Sequence, residues 1–168
     1  MPPEGLPLER ELELTGPRLG WCEWPGRRGP LVCLPDAQQT NASWWRTLAG
    51  AVAPEWRVLL IAPAGGSAPA RVVQLVTLFK AFGFERTPVV VGSRDASLVA
   101  LLLAAWFSDR VGGLVLIDSQ AALRRGTRRL SLRLAALERA VRCPRLTVRG
   151  GPAVVDAITA FLQSAPCC

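Results

Sequence analysis

The chain contains no histidine among its 168 residues. That removes the side chain best suited to act as a general base near neutral pH. It also removes the usual nitrogen ligand of a zinc set. Five cysteines, at positions 22, 33, 143, 167 and 168, show no C-x-x-C spacing, so neither a metal nor any other cofactor is expected. Long apolar runs are missing as well. The longest, Leu98 to Phe107, has ten residues, whereas a bilayer span needs roughly 20. The opening MPPEGLPLERELEL is acidic and proline-rich, with neither a basic leader nor an apolar stretch after it. It does not read as a secretory signal. The expectation is a soluble, cytoplasmic protein.

Half of the residues are hydrophobic, which suits a globular chain, and the length suits one domain over 1–168. The formal net charge of +7 is unevenly placed. Residues 1–118 are balanced, with eleven basic and eleven acidic groups, while residues 119–168 carry nine arginines against Glu138 and Asp156. Such asymmetry can mark a nucleic-acid or membrane contact. The segment LRRGTRRLSLRLAALERAVRCPR has no aromatic residue to stack on bases. A solvated helix face explains it, and a nucleic-acid partner is not expected. RRLS, with Ser131 as acceptor, fits a basic-directed kinase pattern that arises often by chance. Lys80 is the one lysine beside nineteen arginines, a bias that genomic base composition explains. In a cytosolic setting the cysteines are expected as thiols. Cys22 and Cys33 sit on neighbouring candidate strands and would pair only if those strands are adjacent. The Cys167-Cys168 ending is similar to a doubly prenylated GTPase tail, but nothing else in the chain is; an exposed thiol pair is the simpler reading.

Hydrophobic pattern and turn residues alternate strands with helices. Strands are expected at Glu9–Leu14, Leu19–Trp24, Leu31–Leu34, Arg57–Ala62, Pro88–Val91, Gly113–Asp118 and Leu146–Arg149. The first two, joined at Thr15-Gly16-Pro17, read as a half-exposed antiparallel pair. VLLIA, VVV and LVLID are continuous apolar runs of the kind buried on both faces of a parallel sheet. Helices are expected at Asn41–Ala53, Pro69–Phe82, Arg94–Phe107, Arg128–Arg142 and Pro152–Ser164. This is an α/β pattern: a mainly parallel sheet of about seven strands with helices on both faces.

The segment Pro88 to Ser97, PVVVGSRDAS, has the form of a nucleophile elbow, the sharp strand-to-helix turn of the G-x-S-x-G motif. Gly92 stands at the first glycine, Ser93 at the variable place, Arg94 at the nucleophile, Asp95 next, and Ala96 at the second glycine. A guanidinium stays protonated at ordinary pH and cannot attack a carbonyl.

Several phrases occur in the order of the α/β-hydrolase family, which the chain resembles over almost its whole length. PLVCLPDAQQTNASWWRTLAGAVAPEWRVLLIAPAGGS is similar to its strand, oxyanion loop, helix, strand and glycine turn. FGFER before the elbow and SDRVGGLVLID after it are the most specific phrases. CPRLTVRGG and VVDAITAFLQ resemble a late strand and the final helix. The resemblance implies that Pro35-Asp36 replaces the His-Gly of many oxyanion loops. It implies that the N–H of Asp95 would be one oxyanion donor. It further implies that the acid loop, last strand and histidine loop are deleted at Gly150-Gly151-Pro152, and that the lid has shrunk to 119–145.

No catalytic residue is therefore assigned. The expected function is a non-catalytic pseudoenzyme binding a small, possibly anionic, ligand through Arg94, Asp95, Ser93, Pro35 and Asp36, or acting in regulation. Two readings of Arg94 stand: it receives an anion at a helix N-terminus, or it turns back onto Asp95 or Asp36. Asp95 itself reads as a first-turn carboxylate favoured by the helix dipole. Ser93 and Ser97 read as structural serines, and Asp118 as a structural strand end. An alternative is an interaction subunit, or homodimer, that uses an exposed sheet edge at Leu146–Arg149 and the basic C-terminal third. A further alternative is a weak ester hydrolase with substituted machinery.

Overall fold

The computed structural model describes residues 8–12, 19–36, 43–53, 55–62, 65–84, 89–119 and 128–164. Seven strands form one sheet: β1 (Leu8–Leu12), β2 (Leu19–Trp24), β3 (Arg28–Leu34), β4 (Trp56–Ile61), β5 (Val89–Ser93), β6 (Leu114–Ile117) and β7 (Arg145–Val148). Their spatial order is β1-β2-β4-β3-β5-β6-β7. β1 pairs antiparallel with β2, and β2 antiparallel with β4; all other pairs are parallel. Five helices complete the chain: α1 (Ser43–Val52), α2 (Ala68–Ala81), α3 (Ala96–Trp106), α4 (Arg128–Ala140) and α5 (Val154–Ser164).

Alternation along the strands divides the core into two layers, because successive side chains point to opposite faces. Val32, Leu34, Val90, Leu114 and Leu116 pack with Val72, Leu75, Leu78 and Phe79 of α2 and with most of α3. Leu31, Cys33, Val89, Val91, Val115 and Ile117 pack on the other side with Trp45, Leu48 and Val52 of α1 and with Val154, Ile158 and Leu162 of α5. Both faces of β5 and β6 are thus covered, which is why VVV and LVLI are apolar without a break. The sheet, its antiparallel β1–β2 pair and the helices on both faces agree with the sequence reading.

Several boundaries differ. β3 begins at Arg28 rather than Leu31, because the Gly29-Pro30 pair is absorbed by a register shift against β4 rather than ending the strand. α3 begins at Ala96, so Arg94 and Asp95 lie in the turn before it. Cys22 and Cys33 lie opposite the same residue, Leu60, from either side of β4. One intervening strand puts them about 10 Å apart, beyond disulfide reach. Leu137 of α4, and Val141 and Cys143 just beyond its end, pack against the first layer. The Thr15-Gly16-Pro17 turn, Asn41, Pro88, Cys167-Cys168, the side chains of Leu130, Ser131 and Leu134, and residues 120–127 of the lid-like segment lie outside the described residues.

Among the described residues, no helix is long and apolar enough to cross a membrane.

Candidate functional site: the elbow after β5 and the end of β3

The chain leaves β3 toward β4 on one side and leaves β5 toward β6 on the other. A parallel sheet opens a crevice at such a reversal, outside the carboxyl ends of the strands. Asp36 lies there, two residues beyond β3, and Arg94 lies one residue beyond β5.

The elbow has the geometry that its motif demands. Arg94 has φ +47°, in the left-handed region, which costs a residue with a side chain roughly 1–3 kcal/mol. Its N–H continues the β5–β6 ladder by donating to the carbonyl of Ile117 at 2.8 Å, and its carbonyl accepts from the N–H of Ser97 at 3.0 Å. Strand therefore becomes helix within two residues. Gly92 permits this closeness: a Cβ there would lie 2.7 Å from the Cβ of Ala100 and 2.8 Å from the carbonyl oxygen of Ala96.

The two serines are engaged in holding the turn. Buried Ser93 accepts through Oγ from the N–H of Asp36 at 3.1 Å, fastening the end of β3 to the elbow. Ser97 donates through its hydroxyl to the carbonyl of Gly92 at 3.1 Å. Both roles match the structural reading of these residues. Pro35 is buried directly after β3. Asp95 departs from expectation. It stands before the helix rather than in its first turn, exposed, and makes no side-chain cap bond.

The Arg94 guanidinium turns toward Asp36, with Nε to Oδ2 at 3.5 Å. The partners differ in burial: the Asp36 side chain is 7% exposed and that of Arg94 is 35% exposed. Of the two sequence readings of Arg94, its return onto Asp36 describes this arrangement. Arg71, at the end of the first turn of α2, senses the charge of the same carboxylate. Burial of its half-buried guanidinium lowers its pKa, and the charge of Asp36 opposes that shift. Nothing in the sequence pattern pointed to Arg71, because its place beside Asp36 depends on β4 lying next to β3.

A second left-handed residue follows β6: Asp118 has φ +51°. Its N–H donates to the carbonyl of Val148, and its Oδ1 accepts from the N–H of Gly150 at 2.8 Å. A side chain at Gly150 would collide with Oδ2 of Asp118. The carboxylate thus clips the turn after β7, at the place where the resemblance puts the deletion. Thiol chemistry is disfavoured as well. Burial pushes the Cys33 thiol far above its usual range and raises that of Cys143, so neither supplies a ready thiolate.

No protein-family model and no curated protein matches the sequence. Solved structures do match. An alpha/beta hydrolase from Novosphingobium aromaticivorans aligns at TM-score 0.56 and 28% identity, over 66% of this chain and 43% of that one. The epoxide hydrolase CorEH aligns at TM-score 0.57 and 20% identity, over 67% and 42%. A membrane phospholipase A, described as a bacterial virulence factor, aligns at TM-score 0.66 and 14% identity, over 94% and 76%. The chain spans less than half the length of the first two. Strand order, elbow geometry and these alignments together give the chain the α/β-hydrolase fold.

Proposed function

We propose that this chain is a non-hydrolytic protein of α/β-hydrolase fold that uses the elbow as a receptor for a small anion. The observation that carries the reading is Arg94: a guanidinium in the left-handed elbow position, turned toward Asp36 and a third exposed. A planar, permanently charged fork suits binding a carboxylate or phosphate. It does not suit nucleophilic attack. The chain also has no histidine to serve as base. The solved structures of this fold named above are enzymes by their descriptions, so turnover is tested directly. Activated short-chain esters should show no hydrolysis above the buffer rate with the natural chain. Calorimetric titration with acetate should give heats that vanish in Arg94→Ala. Ester turnover abolished by Asp95→Ala or Ser93→Ala would overturn the reading in favour of substituted catalytic machinery.

A second reading rests on β7. It is the last strand of the sheet, and Arg145 and Thr147 are exposed on it between exposed Arg142 and Arg149. An open edge of this kind accepts a strand from a partner or a second copy. Light scattering that gives a monomer mass at every concentration would remove the homodimer form.

A further inference from the structure

We infer that Asp36 is a built-in competitor for the ligand of this site, a latch held by Arg94 that a small carboxylate displaces. The inference rests on the anion-receptor reading given above and names the ligand class and its control. The Asp36 carboxylate already occupies the position that a ligand carboxylate would take on the Arg94 guanidinium. Their 3.5 Å separation is longer than a charge-assisted hydrogen bond, normally about 2.7–2.9 Å, so the pair is an ion pair without the tight geometry of a fixed bond. Asp36 is attached to the elbow by its backbone, through the N–H bonded to Ser93 Oγ. Arg71 of α2, a helix in the same layer as the elbow helix, adds its positive charge to the surroundings of that carboxylate.

Other acidic groups nearby are placed differently. Asp95 is exposed, and Asp118 is committed to the N–H of Gly150. Among the described residues, Asp36 is the ionic partner of Arg94. An internal competitor lowers apparent affinity by the fraction of molecules in which it is released. Replacing it by its neutral isostere raises affinity without adding any contact to the ligand.

The test is calorimetric titration of the full chain with acetate, propionate and butyrate at fixed ionic strength. The proteins compared are the natural chain, Asp36→Asn, Asp36→Ser, Asp95→Asn, Arg71→Gln and Arg94→Ala, each checked for a cooperative thermal melt. Asp36→Asn is expected to bind carboxylate about fivefold more tightly, the scale of a partly exposed ion pair. Asp36→Ser keeps the backbone bond and should follow the same direction if the amide perturbs folding. Arg71→Gln should weaken binding several-fold, and Arg94→Ala should abolish it. If Asp95→Asn tightens binding as much as Asp36→Asn, local charge alone is at work and the latch is wrong. If the natural chain binds carboxylate and loses it in Arg94→Ala, but Asp36→Asn and Asp36→Ser bind no better, the latch falls while the receptor reading stands. No heat from any folded protein removes both.

Discussion

Replacing Gly92 with alanine tests whether the elbow is held by contact between strand and helix. The added Cβ would lie 2.7 Å from the Cβ of Ala100, 2.8 Å from the carbonyl oxygen of Ala96 and 3.0 Å from the Cα of Ser97. Two of these neighbours are backbone, so no rotamer change relieves the collision. Either β5 or the whole of α3 must move, and both are buried among tightly packed side chains. Overpacking of this kind costs about 1–3 kcal/mol, and the backbone contacts place the expected value near the top of that range. Urea unfolding is the assay. With a slope of about 1–3 kcal/mol per molar urea, the midpoint should fall by about 1–3 M. Ala100→Gly removes the 2.7 Å neighbour and alone should cost about 1 kcal/mol through helix propensity. In the double variant the two costs should be less than additive. Rescue stays incomplete, because the carbonyl of Ala96 remains in the way. A Gly92→Ala midpoint unchanged within error, or strict additivity with Ala100→Gly, would refute the close-approach account.

Ser93→Ala leaves the buried N–H of Asp36 without its acceptor. It should cost about 1–3 kcal/mol by denaturant melt. Arg57 joins Glu23 at 2.7 Å and lies against the rings of both Phe82 and Phe84. Arg57→Met should therefore destabilise by about 1–3 kcal/mol by removing one charged partner of a nearly buried carboxylate, and Arg57→Lys should recover only part, since an ammonium lacks the stacking plane. For Cys33 the folded pKa is raised, so the native state holds its proton after the unfolded state has released it. Stability is then intact below the unfolded thiol pKa and falls as pH rises beyond about 8.5. The loss is about 1.4 kcal/mol per pH unit. Cys33→Ala should flatten that alkaline slope whatever its own cost in packing, and an unchanged slope would contradict the account.

Much of the fold was legible because burial on both faces leaves a plain mark. Runs such as VVV before Gly92 and LVLI before Asp118 have few other uses. The elbow was legible from Gly92 and Ala96 at their motif spacing, and its position between β5 and α3 agreed. The entry into β3 was obscured because Gly29-Pro30 reads as a break, while the sheet takes it up as an irregularity. The helix was begun two residues too early, which put Asp95 in its first turn, since cap residues and first-turn residues share the same preferences. Arg71 and the Asp118–Gly150 bond were out of reach for a different reason. Each depends on which strands are neighbours in space, and one sequence carries no signal of strand order.

The division of the core into two layers bears on how the chain acquires its structure. One face of β5 and β6 is covered by α2 and α3, which flank those strands in sequence and can settle as they form. The opposite face depends on α1, from the first half of the chain, and on α5, which follows every strand. Until α5 docks, Val89, Val91, Val115 and Ile117 have no cover at its position. Parallel pairing already makes such sheets slow to assemble, because long loops must close before contacts reward them. Arrival of the last helix therefore ends the period in which an apolar sheet face is open to other chains, and it sets the demand for protection during synthesis.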